Sequence, residues 1–178
     1  RIIPSCVEPD DYVVTPTWDI GSVPRLVWLG SASTEAYVAG IAGELLDLHR
    51  RTGARLRVIS GPDDNPALAP LAPMLDRVPW TATGYAAALA DADIAIAPLD
   101  DTDWSRGKCA YKLLQYAAAG LPMVASPVGA NQVALQRFSG IAAEHRGDWD
   151  DAVTLLLGES ASQRERRARQ GLAAVREH

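Results

Sequence analysis

The sequence predicts an α/β fold: a doubly wound, Rossmann-like parallel sheet of about six strands with helices on both faces. Three observations carry this expectation. Short apolar runs such as RLVWLG (25–30), RLRVIS (55–60) and DIAIAPL (93–99) recur along the chain and suit strands buried on both faces. Segments with helical spacing of apolar residues lie between them, so strand and helix alternate. The 178 residues, 48% of them hydrophobic, suffice for one core and fit a single domain.

Residues 1–24, with Pro4, Pro9, Pro16 and Pro24 and little periodicity, read as an interdomain connector or extended lead-in. RLVWLG then gives the first strand. STEAYVAGIAGELLDLHRR (33–51) is the first helix, with Ser33 or Thr34 as N-cap. Val38, Ile41, Leu45 and Leu48 keep its spacing, and Arg50 and Arg51 suit its last turn. RLRVIS is the second strand, GPDDNPALAP (61–70) a loop and LDRVPW (75–80) a short third strand. GYAAALADA (84–92) is a small helix before DIAIAPL, the fourth strand. SRGKCAYKLLQYAAAGL (105–121) is read as a helix running into PMVASP (122–127), the fifth strand. GIAAE (140–144) is the sixth, and the remainder is helical and highly charged. The Rossmann-like unit is therefore expected over 25–160, with 161–178 as its charged C-terminal helix.

Composition excludes some partners. A formal charge of −5 argues against duplex nucleic acid or an anionic membrane. Cys6 and Cys109 have no CxxC spacing, which fits a reduced, cytoplasmic protein, with the inner face of the membrane as an alternative place of work. No apolar run approaches the ~18 residues of a membrane span, and the start carries no signal-peptide pattern. The chain begins at Arg1 rather than Met and is expected to be a piece of a longer protein.

Doubly wound sheets bind ligands beyond the carboxyl ends of their strands, near the topological switch point. The loops that matter are then those after Gly30, Ser60, Val78, Leu99 and Ser126. The loop after Leu99 is DDTDWSRGK, which places Arg106 and Lys108 where a helix should begin, with Lys112 one turn later. On one helix, Lys108, Lys112 and Gln115 share a face opposite Ala110, Leu113, Leu114 and Ala117. Free N–H groups, partial positive charge and neighbouring cations make an anion site. Gln115 has an amide suited to a sugar hydroxyl. A solvated basic face, with lysine stems lying over the sheet edge, fits the same spacing, and both readings stand.

Other candidates carry their own alternatives. Gly30 and Ser31 can offer backbone N–H groups to a phosphate, or Gly30 is only a turn glycine. Trp80 can stack on a base or anchor the core. Tyr111 and Leu113, flanking Lys112, complete the candidate set, with plain packing as the alternative for Tyr111. DTD (101–103) resembles an acidic metal-binding triplet, but loop solvation or capping of the next helix explains it more simply. His49, His145 and His178 show no ligand spacing, so no metal site is expected. RERRARQG (164–171) reads as a solvated helix face, with contact to an anionic membrane or a missing domain as the alternative. A phosphoacceptor signalling domain needs an acidic pair after the first strand, where GSAS stands instead.

KLLQYAAAGLPMVASPVGANQ (112–132) resembles the signature of retaining, nucleotide-sugar-dependent glycosyltransferases of the GT-B fold, the family-4 "group 1" enzymes. Their helix of type K-L-x-E-Y-M-A-A-G precedes a P-V-V-A-S strand. IIPSCVEPDDY is similar to their interdomain IPNGVD…F segment, VPWTATGYAAALADADIAIAPL to their …Y…LA.ADI.I.PL block, and the segment from Gly147 onward to their C-terminal helices. The resemblance implies a donor half that binds the nucleoside diphosphate of a nucleotide sugar. A separate N-terminal half would bind the acceptor, a glycan or lipid-linked sugar of a bacterial surface. It implies no cofactor and no metal.

By the resemblance, the relatives' usual pair of glutamates falls on Gly107 and Gln115, so the sugar contact comes from elsewhere or is lost, and the ribose contact keeps its hydrogen bonds but loses its charge. Many relatives place an Arg and a Lys after the first strand, where GSASTEAY has no cation. Arg106 and Lys108 are therefore expected as the catalytic cations, with Lys112 beside them. The donor would touch Gly30, Ser31, Trp80, Arg106, Lys108, Tyr111, Lys112, Leu113 and Gln115. The alternative is a non-catalytic nucleotide- or sugar-binding module that has lost the acids.

Overall fold

The computed structural model describes residues 5–145 and 147–177. Residues 1–4, where the IIPSC resemblance starts, and His178 lie outside the described residues. The strands are β1 (Arg25–Leu29), β2 (Arg55–Ser60), β3 (Leu75–Pro79), β4 (Ile94–Ala97), β5 (Met123–Ala125) and β6 (Ile141–Ala142). They form one sheet in the order β3-β2-β1-β4-β5-β6, and every pairing is parallel. The strands fall where the apolar runs predict them, shortened at some ends.

The helices are α1 (Ala36–Ala39), α2 (Ala42–Thr52), α3 (Tyr85–Ala90), α4 (Asp103–Arg106), α5 (Tyr111–Ala118), α6 (Ala130–Arg137), α7 (Asp148–Gly158) and α8 (Ala161–Arg176). Strand side chains alternate between two cores. Leu26, Trp28, Leu56, Val58 and Ile94 pack with Val38 of α1, Leu45 of α2 and Val153 of α7. Val27, Leu29, Ile59 and Ala95 pack with Leu89 of α3, Leu113 of α5, Leu135 of α6 and Val175 of α8. Both faces of the sheet are thus covered, as a parallel sheet requires.

Four expectations change. The helix over 33–51 is broken: a 3-10 turn (Ala32–Thr34) precedes α1, and Ile41 at φ −112°, ψ 19° leaves helical geometry before α2. The loop 61–70 winds into a 3-10 turn (Pro66–Leu71) that buries Leu68 and Leu71, with Asn65 accepting from the Ala67 N–H. The helix expected over 105–121 is two helices. Thr102 caps α4 by accepting from the Ser105 N–H, and Ala110 at φ 57° breaks the path before α5. Finally, RERRARQG is a solvated face only in part, at Arg166, Arg169 and Gln170. Arg164 is 5% exposed and donates to the carbonyls of Trp18, Leu156 and Glu159, while Arg167 pairs with Glu159 and Arg169 with Glu165. Among the described residues no helix is long and apolar enough to cross a membrane.

Strand order reverses between β1 and β4, whose pairing covers only Leu26↔Ile94 and Val27↔Ala95. Beyond it the fully buried Tyr116 of α5 bridges the strands. Its hydroxyl accepts from the Leu29 N–H at 3.0 Å and donates to the Ile96 carbonyl at 3.1 Å. One side chain thereby satisfies both strands where they part company. The N-terminal segment is tied to the same region. The Thr15 N–H donates to the Ala119 carbonyl at 3.2 Å and the Trp18 indole to that of Gly120 at 3.0 Å.

Candidate functional site

A cleft of about 870 Å³ opens at this switch point, over the carboxyl ends of β1, β2 and β4. Its walls are the loops Gly30–Ala32, Ser60–Pro62 and Pro98–Leu99, the segment Gly107–Leu113, and Trp80 with Tyr85 at the β3 end. Gln115 and Asn131 also line it.

The first wall is fixed by packing. Trp28 is 1% exposed, and a Cβ on Gly30 would sit 2.4 Å from its Cη2. Gly30 is therefore required by the indole beneath it rather than by a turn. Its N–H donates to the Ile59 carbonyl at 3.0 Å, so Gly30 lines the cleft without an N–H to offer. The Ser31 hydroxyl shares protons with Ser33 and Thr34 at 3.0 and 3.3 Å. Behind these loops Glu35, fully buried, accepts both Nη groups of Arg77 at 2.8 and 3.1 Å. Arg77 also donates to the Gly61 carbonyl at 3.1 Å, which clamps the β1 and β2 loops to β3.

The opposite wall is the N-terminus of α5. Ala110, in the left-handed region at φ 57°, precedes the helix, and no side chain caps it. Cys109, Ala110, Tyr111 and Lys112 all border the cleft, so the start of α5, with its partial positive charge, adjoins it. Lys112 is half-buried, its Nζ 5.5 Å from the Trp28 ring centroid. Burial and the charge of Lys108 hold its pKa below the ordinary lysine value, against the opposing influence of Cys109. Lys108 is not on a helix with Lys112, because the chain turns at Gly107–Ala110. It reaches the cleft all the same, with Nζ 5.5 Å from the rings of both Tyr37 and Trp104.

Arg106 does not join them. It is absent from the cleft wall, and its guanidinium is bidentate to Asp101 at 2.7 and 3.0 Å, with Asp103 at 3.5 Å. The acids of DTD are thus committed to Arg106, and Thr102 supplies the cap. Gly107 borders the cleft, and a Cβ there would meet nothing closer than the Trp104 carbonyl at 3.5 Å. Gln115 is 8% exposed and Leu113 1%, both in the wall formed by α5.

Trp80 is 51% exposed at the cleft mouth and stacks on Tyr85, with centroids 5.9 Å apart and planes at 22°. It is no core anchor. Tyr111, 45% exposed, lies in the wall rather than packing in the core. Sequence reasoning missed Tyr37, Tyr85, Cys109 and Asn131. Tyr37 and Tyr85 sit in segments whose helical periodicity gave no other signal. Asn131 is 3% exposed and donates to the Ser126 carbonyl at 3.1 Å, a contact that only the fold creates.

The family model described as "Glycosyl transferases group 1" matches residues 23–159. No curated protein matches the sequence. Among solved structures, WaaG, a glycosyltransferase involved in lipopolysaccharide biosynthesis, is similar at 15% identity with a TM-score of 0.72, covering 100% of this chain and 52% of that one. The C-terminal domain of LpcC, a group 1 glycosyl transferase from Francisella tularensis, gives 14% identity and 0.66, covering 96% and 97%. TarM gives 11% and 0.68, covering 97% of this chain and 34% of its own. At these identities the likeness is one of fold. The chain spans the whole of the isolated domain, but 34% of TarM and 52% of WaaG.

Proposed function

Since the chain belongs to the group 1 glycosyl transferases and has the C-terminal GT-B fold, we propose that it is the donor-binding domain of a retaining enzyme that moves a sugar from a nucleoside diphosphate to a glycan or lipid-linked acceptor. The acceptor would be held by a partner half in a longer, cytoplasmic protein that works in polysaccharide biosynthesis, on or off the membrane face. The observation that carries the reading is the uncapped α5 N-terminus, with Lys108 and Lys112 beside it, facing a cleft whose far mouth holds Trp80.

In this reading the diphosphate lies against the first-turn N–H groups and the two ammonium groups. The base stacks on Trp80, and the ribose meets Gln115. As the sugar–phosphate bond breaks, negative charge develops on the departing diphosphate oxygen, where fixed donors stabilise it most. The two lysines counter that negative charge with their own positive charge, and the step calls on no metal. Arg106, held by Asp101, is assigned no role.

The test is calorimetric titration with nucleotide sugars of uridine, guanosine and adenosine, repeated on Lys108→Ala. The expected loss is about 1.5–3 kcal/mol, the range for hydrogen bonds to charged groups. Unchanged affinity in a folded variant refutes the assignment. A second reading, a binding module without catalysis, is favoured by Gly107 and Gln115, which stand where relatives have acids. Release of free nucleoside diphosphate by the longer protein decides between the two.

A further inference from the structure

We infer that Tyr12, in the N-terminal segment, is a positioning residue for the nucleoside end of the cleft, holding Trp80 through Tyr85. The inference rests on the nucleotide reading of the cleft. Tyr12 lies outside the matched family segment, which begins at residue 23.

Three rings form a ladder from the interior to the cleft mouth. Tyr12 is 8% exposed and meets Tyr85 edge-on, with centroids 5.7 Å apart and planes at 82°. Tyr85 in turn stacks beneath Trp80. An indole that is 51% exposed has few other neighbours to fix its rotamer, so its orientation depends on Tyr85, and that of Tyr85 on Tyr12. The Tyr12 ring also packs in the core containing Leu113 and Leu114 of α5.

Tyr12 is itself anchored. A 3-10 turn (Pro9–Asp11) ends on it, with the Tyr12 N–H donating to the Pro9 carbonyl at 3.2 Å. Arg176 of α8 holds Asp10 at 3.0 Å, and Thr15 bonds the end of α5. A residue fixed from both sides transmits that rigidity to Trp80, and pre-ordered groups lose less entropy on binding.

The experiment compares wild type, Tyr12→Leu and Tyr12→Phe by two measurements: the indole N–H resonance of Trp80, assigned with Trp80→Phe, and affinity for UDP, GDP and ADP with their 2′-deoxy forms. Tyr12→Leu keeps apolar bulk but removes ring and hydroxyl. It is expected to shift the Trp80 resonance and weaken the best-bound nucleotide about twofold to tenfold, the factor an aromatic pair is worth. Tyr12→Phe keeps the ladder, so the resonance stays and each nucleotide and its deoxy form bind as they do to wild type. A folded Tyr12→Leu with an unmoved resonance and wild-type affinity overturns the ladder. A Tyr12→Phe that shifts the resonance or weakens binding as much as Tyr12→Leu overturns the assignment of the effect to the ring. If Tyr12→Leu does not fold, Tyr85→Leu is read in its place, with a shifted Trp80 resonance supporting the ladder and an unshifted one overturning it. A wild type that binds none of the three nucleotides overturns the nucleotide reading instead, and is told apart because the resonance needs no ligand.

Discussion

Tyr116→Phe removes one oxygen from the middle of the sheet. That oxygen accepts the Leu29 N–H at 3.0 Å and donates to the Ile96 carbonyl at 3.1 Å, in a side chain that is fully buried. Phenylalanine keeps the ring and its packing, so no cavity term enters. Each backbone group left without a partner costs about 1–3 kcal/mol. The Ile96 carbonyl, with two lone pairs, belongs at the low end of that range, and the Leu29 N–H higher. The expected loss is about 2–4 kcal/mol, a fall in melting temperature of roughly 5–15 °C for a chain of this size. Urea denaturation at constant m reads it directly.

The same variant has a signature at high pH. Burial pushes the Tyr116 phenol above the ordinary tyrosine value, against the pull of the Leu29 N–H. A raised folded pKa gives stability that is whole below the unfolded pKa of about 10 and is lost as pH rises beyond it. Tyr116→Phe therefore flattens the alkaline decline, leaving the part due to Tyr12, which burial and Tyr85 also raise. A loss below about 0.5 kcal/mol, within the range of an ordinary surface substitution, with an unchanged alkaline slope, would refute the reasoning.

Two further outcomes follow from the cleft walls. Arg77→Met leaves Glu35 buried without its partner and is expected to destabilise the chain by about 3–5 kcal/mol. Burial alone would raise the Glu35 carboxyl, but Arg77, Ser60 and Asn65 outweigh it and hold it below the usual range. That stability is present above the ordinary glutamate value and lost as pH falls through the folded one. In Arg77→Met the carboxyl rises instead, so the deficit should shrink on acidification, and a deficit equal at pH about 7 and about 4, on either side of the glutamate pKa, would count against the pair. Lys112, lowered by burial and by Lys108, should lose its proton before an ordinary lysine. Nucleotide affinity is then expected to decline on the approach to the ordinary lysine pKa of about 10.4, and Lys112→Arg should flatten the profile. Identical profiles for the two proteins exclude Lys112 from the diphosphate site.

The strands and the loops that border the cleft were legible because buried parallel strands write continuous apolar runs, and RLVWLG, RLRVIS and DIAIAPL do so plainly; the strand order was not. What stayed hidden depended on contacts between distant segments. Gly30 looked like a turn glycine, since nothing local announces that the Trp28 ring passes beneath it. Lys108 was placed on α5 because alanine rarely adopts the left-handed region that Ala110 occupies. Tyr116 gave no signal in the sequence, its hydroxyl having partners only once β1 and β4 lie on either side. Arg106 is different. Asp101 and Asp103 stand within five residues of it, so its neutralisation could have been read from DDTDWSR.

The bond between Arg106 and Asp101 also bears on how fast a ligand arrives. Arg106 and Asp101 cancel one another, so the loops beside the cleft keep the exposed Asp63, Asp64 and Asp103, on a chain of net charge −5. Lys108 and Lys112 act only at short range, from half-buried positions. An incoming anion therefore meets a repulsive far field and an attractive floor. Dissolved salt screens the first more than the second, because its reach is set by the Debye length, ~8 Å at physiological strength. For a nucleotide sugar, capture is then slowest in dilute buffer and quickens with modest salt, the reverse of a steered encounter.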